Sequence, residues 1–372
     1  MIVGVSKETK DNEFRVSVIP ATAEELVRRG HKVLVETGAG VGAGLADTAY
    51  EQAGAEIVAS AAELFNRAEL IVKVKEPLAA ERKRLKRGQV LFTYLHLAAD
   101  RAQTEDLLAS GVTAIAYETV TDAHGYLPLL MPMSEVAGRM APQVGAYCLE
   151  KVTGWRGVLL GGVPGVPPGD VLILGSGVVG TNAASIAIGM GADMIMAGQN
   201  MDQLRHASAR FGTQLRTVFS TRQSVETLCR RADLVIGAVL VPGAAAPKLI
   251  SAETVKAMKP GAVIVDVSID QGGTSETSRP TTHSHPTYIV DGVVHYCVTN
   301  MPGAVARTST FALSNVTAPF VLAIADKGFA RALMEDPHLR DGLNVHEGKI
   351  THRAVAGALG HPHLPASEVL KR

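Results

Sequence analysis

The stretch that most restricts how this chain can fold is "LILGSGVVGTNAASIAIGMGADMIMAGQN", Leu172 to Asn200. An apolar run leads into Gly175, Gly177 and Gly180, spaced G-x-G-x-x-G, and a helical run leads away. The spacing alone is weak, and a purely structural glycine turn is its bland explanation. A strand before it and a helix after it are the context that favours a dinucleotide. Gly175 suits a tight turn, Gly177 lets a pyrophosphate approach the backbone, and Gly180 lets helix and strand pack closely. Ser176, Val178 and Val179 complete the turn, and the helix N-terminus offers N–H donors and a positive dipole end to phosphates. The second strand of such a unit ends, about 20 residues on, in an acid that accepts hydrogen bonds from the adenosine ribose. Here Gly198 stands at that tip, followed by Gln199 and Asn200. A carboxylate would repel a 2′-phosphate, so its absence lifts a barrier to NADP without building an NADP site. Arg205 lies well into the next helix, and Asp202 at that helix's start reads as a dipole partner.

Around this motif the chain alternates strand and helix. In the first third, "MIVGVSKE", "HKVLVETG", "ELIVKVKEP" (69–77), "VLFTYLH" (90–96) and "VTAIAYET" (112–119) read as strands. "PATAEELVRRG" reads as a helix capped by Thr22 and closed by Gly30. A long helix opens at Ser134, which suits its N-cap, and a Pro/Gly-rich connector occupies 161–170. Strict alternation then resumes through "DVLILG", "DMIMAG", "ADLVIGAVLV" and "AVIVDVSID". A further long helix from Thr308 is assigned back to the first domain, because the nucleotide domain is by then complete. The fold class is α/β: two Rossmann-like domains with parallel sheets, the nucleotide domain (131–305) inserted into a discontinuous substrate domain (1–130 and 306–372).

Composition narrows the function classes. The chain has 372 residues, with Lys plus Arg and Asp plus Glu both 36, which argues against nucleic acid or an anionic membrane as partner. Cys148, Cys229 and Cys297 have no metal or redox spacing and read as apolar filler in a reducing compartment. The opening "MIVGVSKETKDNEFR" does not read as a signal peptide, and apolar runs are interrupted before a membrane span's length. A cytoplasmic protein is expected. The pairs His283/His285 and His361/His363 lack a carboxylate or cysteine at convincing spacing, so no metal is expected.

Several longer words then carry a resemblance: "VGVSKETKDNEFRVSVIP", "KVKEPL", "LFTYLHLAAD", "LPLLMPMSEVAGRMAPQVGA", "VIVDVSIDQGG", "SRPTTH" and "VVHYCVTNMPGAV". Across nearly its whole length the chain resembles the alanine dehydrogenase family, whose fold also serves the nucleotide-binding part of proton-translocating transhydrogenase. The resemblance implies a homohexamer. It also implies reversible, NAD-dependent oxidative deamination of L-alanine to pyruvate and ammonium. Carried over residue by residue, it places the substrate contacts on Arg15 and Lys75 and the catalytic pair on His96 and Asp270. Nicotinamide and phosphate contacts fall on Ser134, Val239, Leu240, Asn300 and Met301 beside the glycine turn. The family's ribose aspartate is replaced by Gly198, and the proline of its "AVPRTST" by Ala306.

These residue types suit that chemistry, and each has a bland alternative. A guanidinium holds a carboxylate with two parallel hydrogen bonds, though Arg15 in its charged stretch would also suit a surface. Lys75 shares a strand face with Lys73; a lysine on an edge strand, discouraging aggregation, is the alternative for one of them. His96 can take a proton near neutrality, but a histidine at a strand end is often only structural. Asp270 ends a strand beside glycines and suits a cationic substrate nitrogen, while Asp266 within the strand reads as an internal acceptor. Ser134 could simply cap its helix. A rival of another class is a nucleotide-binding subunit without turnover, for which a base and a carboxylate clamp would be superfluous.

Overall fold

Alternate residues of the first strands face opposite ways, and both sets are apolar. Val3, Val5, Val33, Val35, Leu70, Val72 and Phe92 belong to one buried cluster, and Leu34, Ile71, Leu91 and Ala114 to another. Strands apolar on both faces belong in a sheet covered on both sides by helices, which parallel crossovers produce. The computed structural model describes residues 1–153, 155–239 and 245–371. Its strands are β1 (Ile2–Val5), β2 (Lys32–Glu36), β3 (Glu56–Val58), β4 (Leu70–Val72), β5 (Val90–Thr93), β6 (Thr113–Ala116), β7 (Asp170–Leu174), β8 (Asp193–Gly198), β9 (Arg216–Phe219), β10 (Leu234–Gly237), β11 (Val263–Asp266), β12 (Thr287–Val290), β13 (Val293–Tyr296), β14 (Leu343–His346) and β15 (Lys349–Ile350).

The chain divides into two compact units, one formed by Met1–Met133 with the chain from Gly303 onward, the other by Ser134–Pro302. The first unit holds an eight-stranded sheet in the order β15-β14-β6-β5-β4-β1-β2-β3. β1 to β6 are parallel, whereas β14 runs antiparallel to β6 and pairs antiparallel with β15. The second unit holds seven strands in the order β12-β13-β11-β10-β7-β8-β9. Among the described residues there, only β12 is antiparallel to its neighbour. The sheets are therefore parallel with antiparallel additions at an edge, where two short strands can close a hairpin.

Local boundaries differ from the sequence reading for physical reasons. Pro20 opens the first helix, Pro20–Arg28, with Ile19 as N-cap, so Thr22 lies inside it rather than capping it. The long helix runs Met131–Leu149, which puts Ser134 in its first turn instead of at the cap. β4, β5 and β6 stop three to five residues short of the apolar-looking runs, leaving Lys73, Lys75 and His96 on the loops that follow. The helix Ala306–Lys327 is long and apolar enough to cross a membrane by composition, yet Leu313, Val321 and Ile324 lie in the first unit's core.

Candidate active site

In the first unit, β4 and β5 end side by side in the interior of the sheet. Functional side chains in such folds collect beyond the carboxyl ends of the strands. Lys73, just past β4, is fully buried: its ammonium donates to Ser6 Oγ (3.2 Å), Glu8 Oε2 (3.2 Å) and Glu81 Oε1 (2.9 Å). β4 is not an edge strand, so the aggregation-guarding alternative does not hold for Lys73; three buried acceptors hold its charge. Glu8 also accepts the Val74 amide (2.7 Å), which pins the backbone that carries Lys75. Burial, and then the Arg15 charge, hold the Lys75 ammonium below the ordinary lysine range. Among the described residues no carboxylate lies within ion-pair distance of it.

Arg15 is 2% exposed. Its Nε and Nη2 donate to the two oxygens of Glu13, both at 2.6 Å, and Nη1 points at Met133 Sδ (3.0 Å). The two parallel bonds expected of this guanidinium are thus made with Glu13. Burial opposes the Arg15 charge, and Glu13 outweighs it, so the pKa rises rather than falls. Tyr94 feels the same Arg15 charge and donates its hydroxyl to the Leu129 carbonyl (2.6 Å). Its ring lies parallel to the His96 imidazole, centroids 5.9 Å apart and 6° between planes. Arg15, Lys75, Tyr94 and His96 are therefore linked neighbours. His96 has a left-handed backbone (φ 51°), uncommon for a residue with a side chain and costing of order 1 kcal/mol. Glu118 holds it there by accepting the His96 amide at 2.6 Å and the Leu95 amide at 3.2 Å. The same carboxylate stands 3.9 Å from Nδ1, while the ring is half exposed. Glu13 and Glu118 were missed from sequence; acids in charged or polar stretches read as solvated surface.

In the second unit the glycine turn has the form its spacing implies. Gly175 has φ +113°, and a Cβ there would overlap the Ala238 carbonyl; one on Gly180 would overlap the Gly175 carbonyl. At Gly177 nothing lies within 4 Å of where a Cβ would be. That open side precedes the helix Val178–Gly189, whose first amides, on Val178, Val179 and Gly180, have no acceptor within their own helix. A cradle closed on two sides and open on the third fits a pyrophosphate. Val239 follows β10 near Gly175, and its carbonyl accepts Ser268 Oγ (2.7 Å). Ser134 lies one turn before Gly138, which packs directly on the Val179 carbonyl. At the tip of β8, Gly198 is buried against Ser176 and Leu204.

Asp270 is exposed on the short turn Val267–Gln271 after β11. Asp266 is fully buried and is an internal acceptor: Oδ2 takes the Thr274 amide (2.7 Å) and the Ser278 hydroxyl (2.6 Å). Those bonds tie down both ends of the loop carrying Asp270. Met301 is buried, and the Asn300 carbonyl meets His283 Nε2 at 2.7 Å. His361 reaches Glu105 (2.9 Å) and His363 the Thr351 carbonyl (3.2 Å). Leu240 lies outside the described residues.

Residues 4–137 match the family model "Alanine dehydrogenase/PNT, N-terminal domain", and residues 141–353 match "Alanine dehydrogenase/PNT, C-terminal domain". The chain is 57% identical over 370 residues to an alanine dehydrogenase of Halomonas elongata and 54% identical over 370 residues to one of Mycobacterium tuberculosis, covering all of each. A solved L-alanine dehydrogenase superposes with a TM-score of 0.94 at 52% identity, covering 97% of this chain and 99% of that one. A transhydrogenase from Sinorhizobium meliloti gives a TM-score of 0.82 at 25% identity, covering 95% of this chain and 100% of that one. With both domain models matched in order and relatives alike from end to end, the chain belongs to the alanine dehydrogenase/PNT family.

Proposed function

We propose that this protein oxidatively deaminates L-alanine, with water, to pyruvate and ammonium, reversibly and with NAD. The observation that carries the reading is the end-to-end likeness to alanine dehydrogenases. Bound at the glycine turn, a nicotinamide dinucleotide supplies the acceptor for the hydride that leaves the alanine Cα. The residues that hold it are the turn 175–180 with Ser134, Val239, Asn300 and Met301.

Lys75 is the substrate's principal cation in this proposal. Its ammonium has no ion-pair partner among the described residues, and burial makes a substrate oxygen a far better ligand for it than bulk water would allow. Arg15, already braced by Glu13, contributes a fixed positive field beside it. His96 is the proton acceptor: it takes a proton from the water that adds to the iminium carbon and returns it as the carbinolamine collapses. Tyr94 and Glu118 fix its ring and backbone. Asp270 stabilises positive charge on the substrate nitrogen. The subunit assembles as a homohexamer; exposed Tyr147, Val152, Leu159, Val163 and Val166, concentrated in one stretch of chain, support an interface.

The test is reduction of NAD by L-alanine, with pyruvate and ammonium identified as products. Turnover with L-alanine and little with bulkier amino acids supports the reading. Tight nucleotide binding without turnover would instead favour a non-catalytic, transhydrogenase-like role. Gly198 supports a second reading of the cofactor alone, in which NADP serves beside NAD.

A further inference from the structure

The notch left by glycine at the tip of β8 is already filled. An ideal Cβ on Gly198 would lie 2.6 Å from Ser176 Oγ, 3.2 Å from Ser176 Cβ and 3.3 Å from Leu204 Cδ2. Ser176 is 7% exposed, and its hydroxyl donates to Gln203 Oε1 at 2.9 Å. Gln203 lies in the first turn of the helix Met201–Phe211, whose N-cap, Asn200, accepts the Gln203 amide at 3.1 Å. Backbone and side chain of Gln203 are thus both fixed next to the strand tip. A neutral hydroxyl–amide pair occupies the place that a ribose-binding carboxylate holds in this kind of fold.

We propose that Ser176 and Gln203 together form the 2′ subsite for the adenosine ribose and determine which dinucleotide this protein accepts; this rests on the reading of the glycine turn as a dinucleotide site. The Ser176 proton is spent on Gln203 Oε1, which leaves the Gln203 amide N–H groups as donors. An uncharged donor serves a 2′-hydroxyl and a 2′-phosphate alike. No carboxylate of the pair repels the phosphate, and the nearest cation along the chain, Arg205, is engaged by Asp202 at 2.7 Å. The subsite therefore excludes neither nucleotide by charge, and it offers the 2′-phosphate no free cation. The geometry has a second consequence. An acid restored at 198 alone must first turn the Ser176 hydroxyl away from Gln203, because its Cβ would lie 2.6 Å from that oxygen, and we expect this to offset the gain in NADH binding.

The experiment is fluorescence titration of the intact protein with NADH and with NADPH, for wild type, G198D, S176A/G198D and Q203E, each checked for an unchanged melting transition. Wild type binds both nucleotides. G198D binds NADH no more tightly than wild type, and S176A/G198D binds it at least about fivefold more tightly than G198D, worth about 1 kcal/mol. Q203E places a carboxylate at the pair and weakens NADPH at least about tenfold relative to NADH. The proposal is overturned if G198D alone gains as much as the double variant, or if Q203E leaves the NADPH to NADH ratio unchanged. If folded wild type binds neither nucleotide, the dinucleotide reading itself fails and takes the proposal with it.

Discussion

Lys75 and Lys73 sit two residues apart and have opposite electrostatic surroundings. Lys73 is enclosed by Glu8, Glu81 and Ser6, so its charge is structural. Replacing it with methionine leaves two buried carboxylates without their cation and costs about 3–5 kcal/mol, read as a lowered urea midpoint. Lys75 is held below the ordinary lysine value of 10.5 by burial and by Arg15. In the window between that lowered value and 10.5 the unfolded chain keeps a proton that the native one has released, so this group's contribution to stability rises with pH there. Substrate binding runs the other way: the KM for pyruvate increases as pH rises through the lowered value and the ammonium is lost. Lys75→Arg removes that alkaline rise, and Lys75→Met raises KM by roughly ten- to a hundredfold at neutral pH while leaving NADH affinity intact. A Lys75→Met protein with unchanged KM would remove Lys75 from the site.

The elements show what a linear pattern carries and what it does not. The glycine turn was legible because its determinants are local: spacing, a strand before and a helix after. Gly180→Ala tests it, since its methyl group would overlap the Gly175 carbonyl. The expected result is a loss of about 1–3 kcal/mol in unfolding free energy, with weakened NADH binding. An alanine there with native stability and affinity would mean that the turn is looser than its geometry states. The position of β4 inside the sheet was not legible, because strand order is set by pairing between distant segments, and Lys73 was therefore open to misreading as an edge residue. Glu13's grip on Arg15 spans only two residues, yet nothing in "KDNEFR" distinguishes a buried acid from a solvated one. Ser176 at the Gly198 notch is a tertiary contact between the turn after β7 and the tip of β8, visible only once the two strands lie side by side.

At the scale of the whole molecule, the chain forms two compact units. Lys75 and His96 lie in one unit and the glycine turn in the other. The exposed apolar side chains between Tyr147 and Val166 predict that the native particle is larger than one chain. Sedimentation equilibrium should give six chains, and Leu159→Glu with Val163→Glu should shift it to smaller species. A monomer at micromolar concentration would contradict the assembly.

In the proposed reaction the alanine Cα gives up a hydride to the bound dinucleotide. The most direct test of this step is incubation of the protein with L-alanine deuterated at Cα and with NAD, followed by mass analysis of the reduced nucleotide. The nucleotide is expected to carry the deuterium, with turnover slowed relative to ordinary L-alanine wherever hydride transfer limits the rate. Reduced nucleotide without deuterium, or bound nucleotide left oxidised beside intact L-alanine, would contradict it.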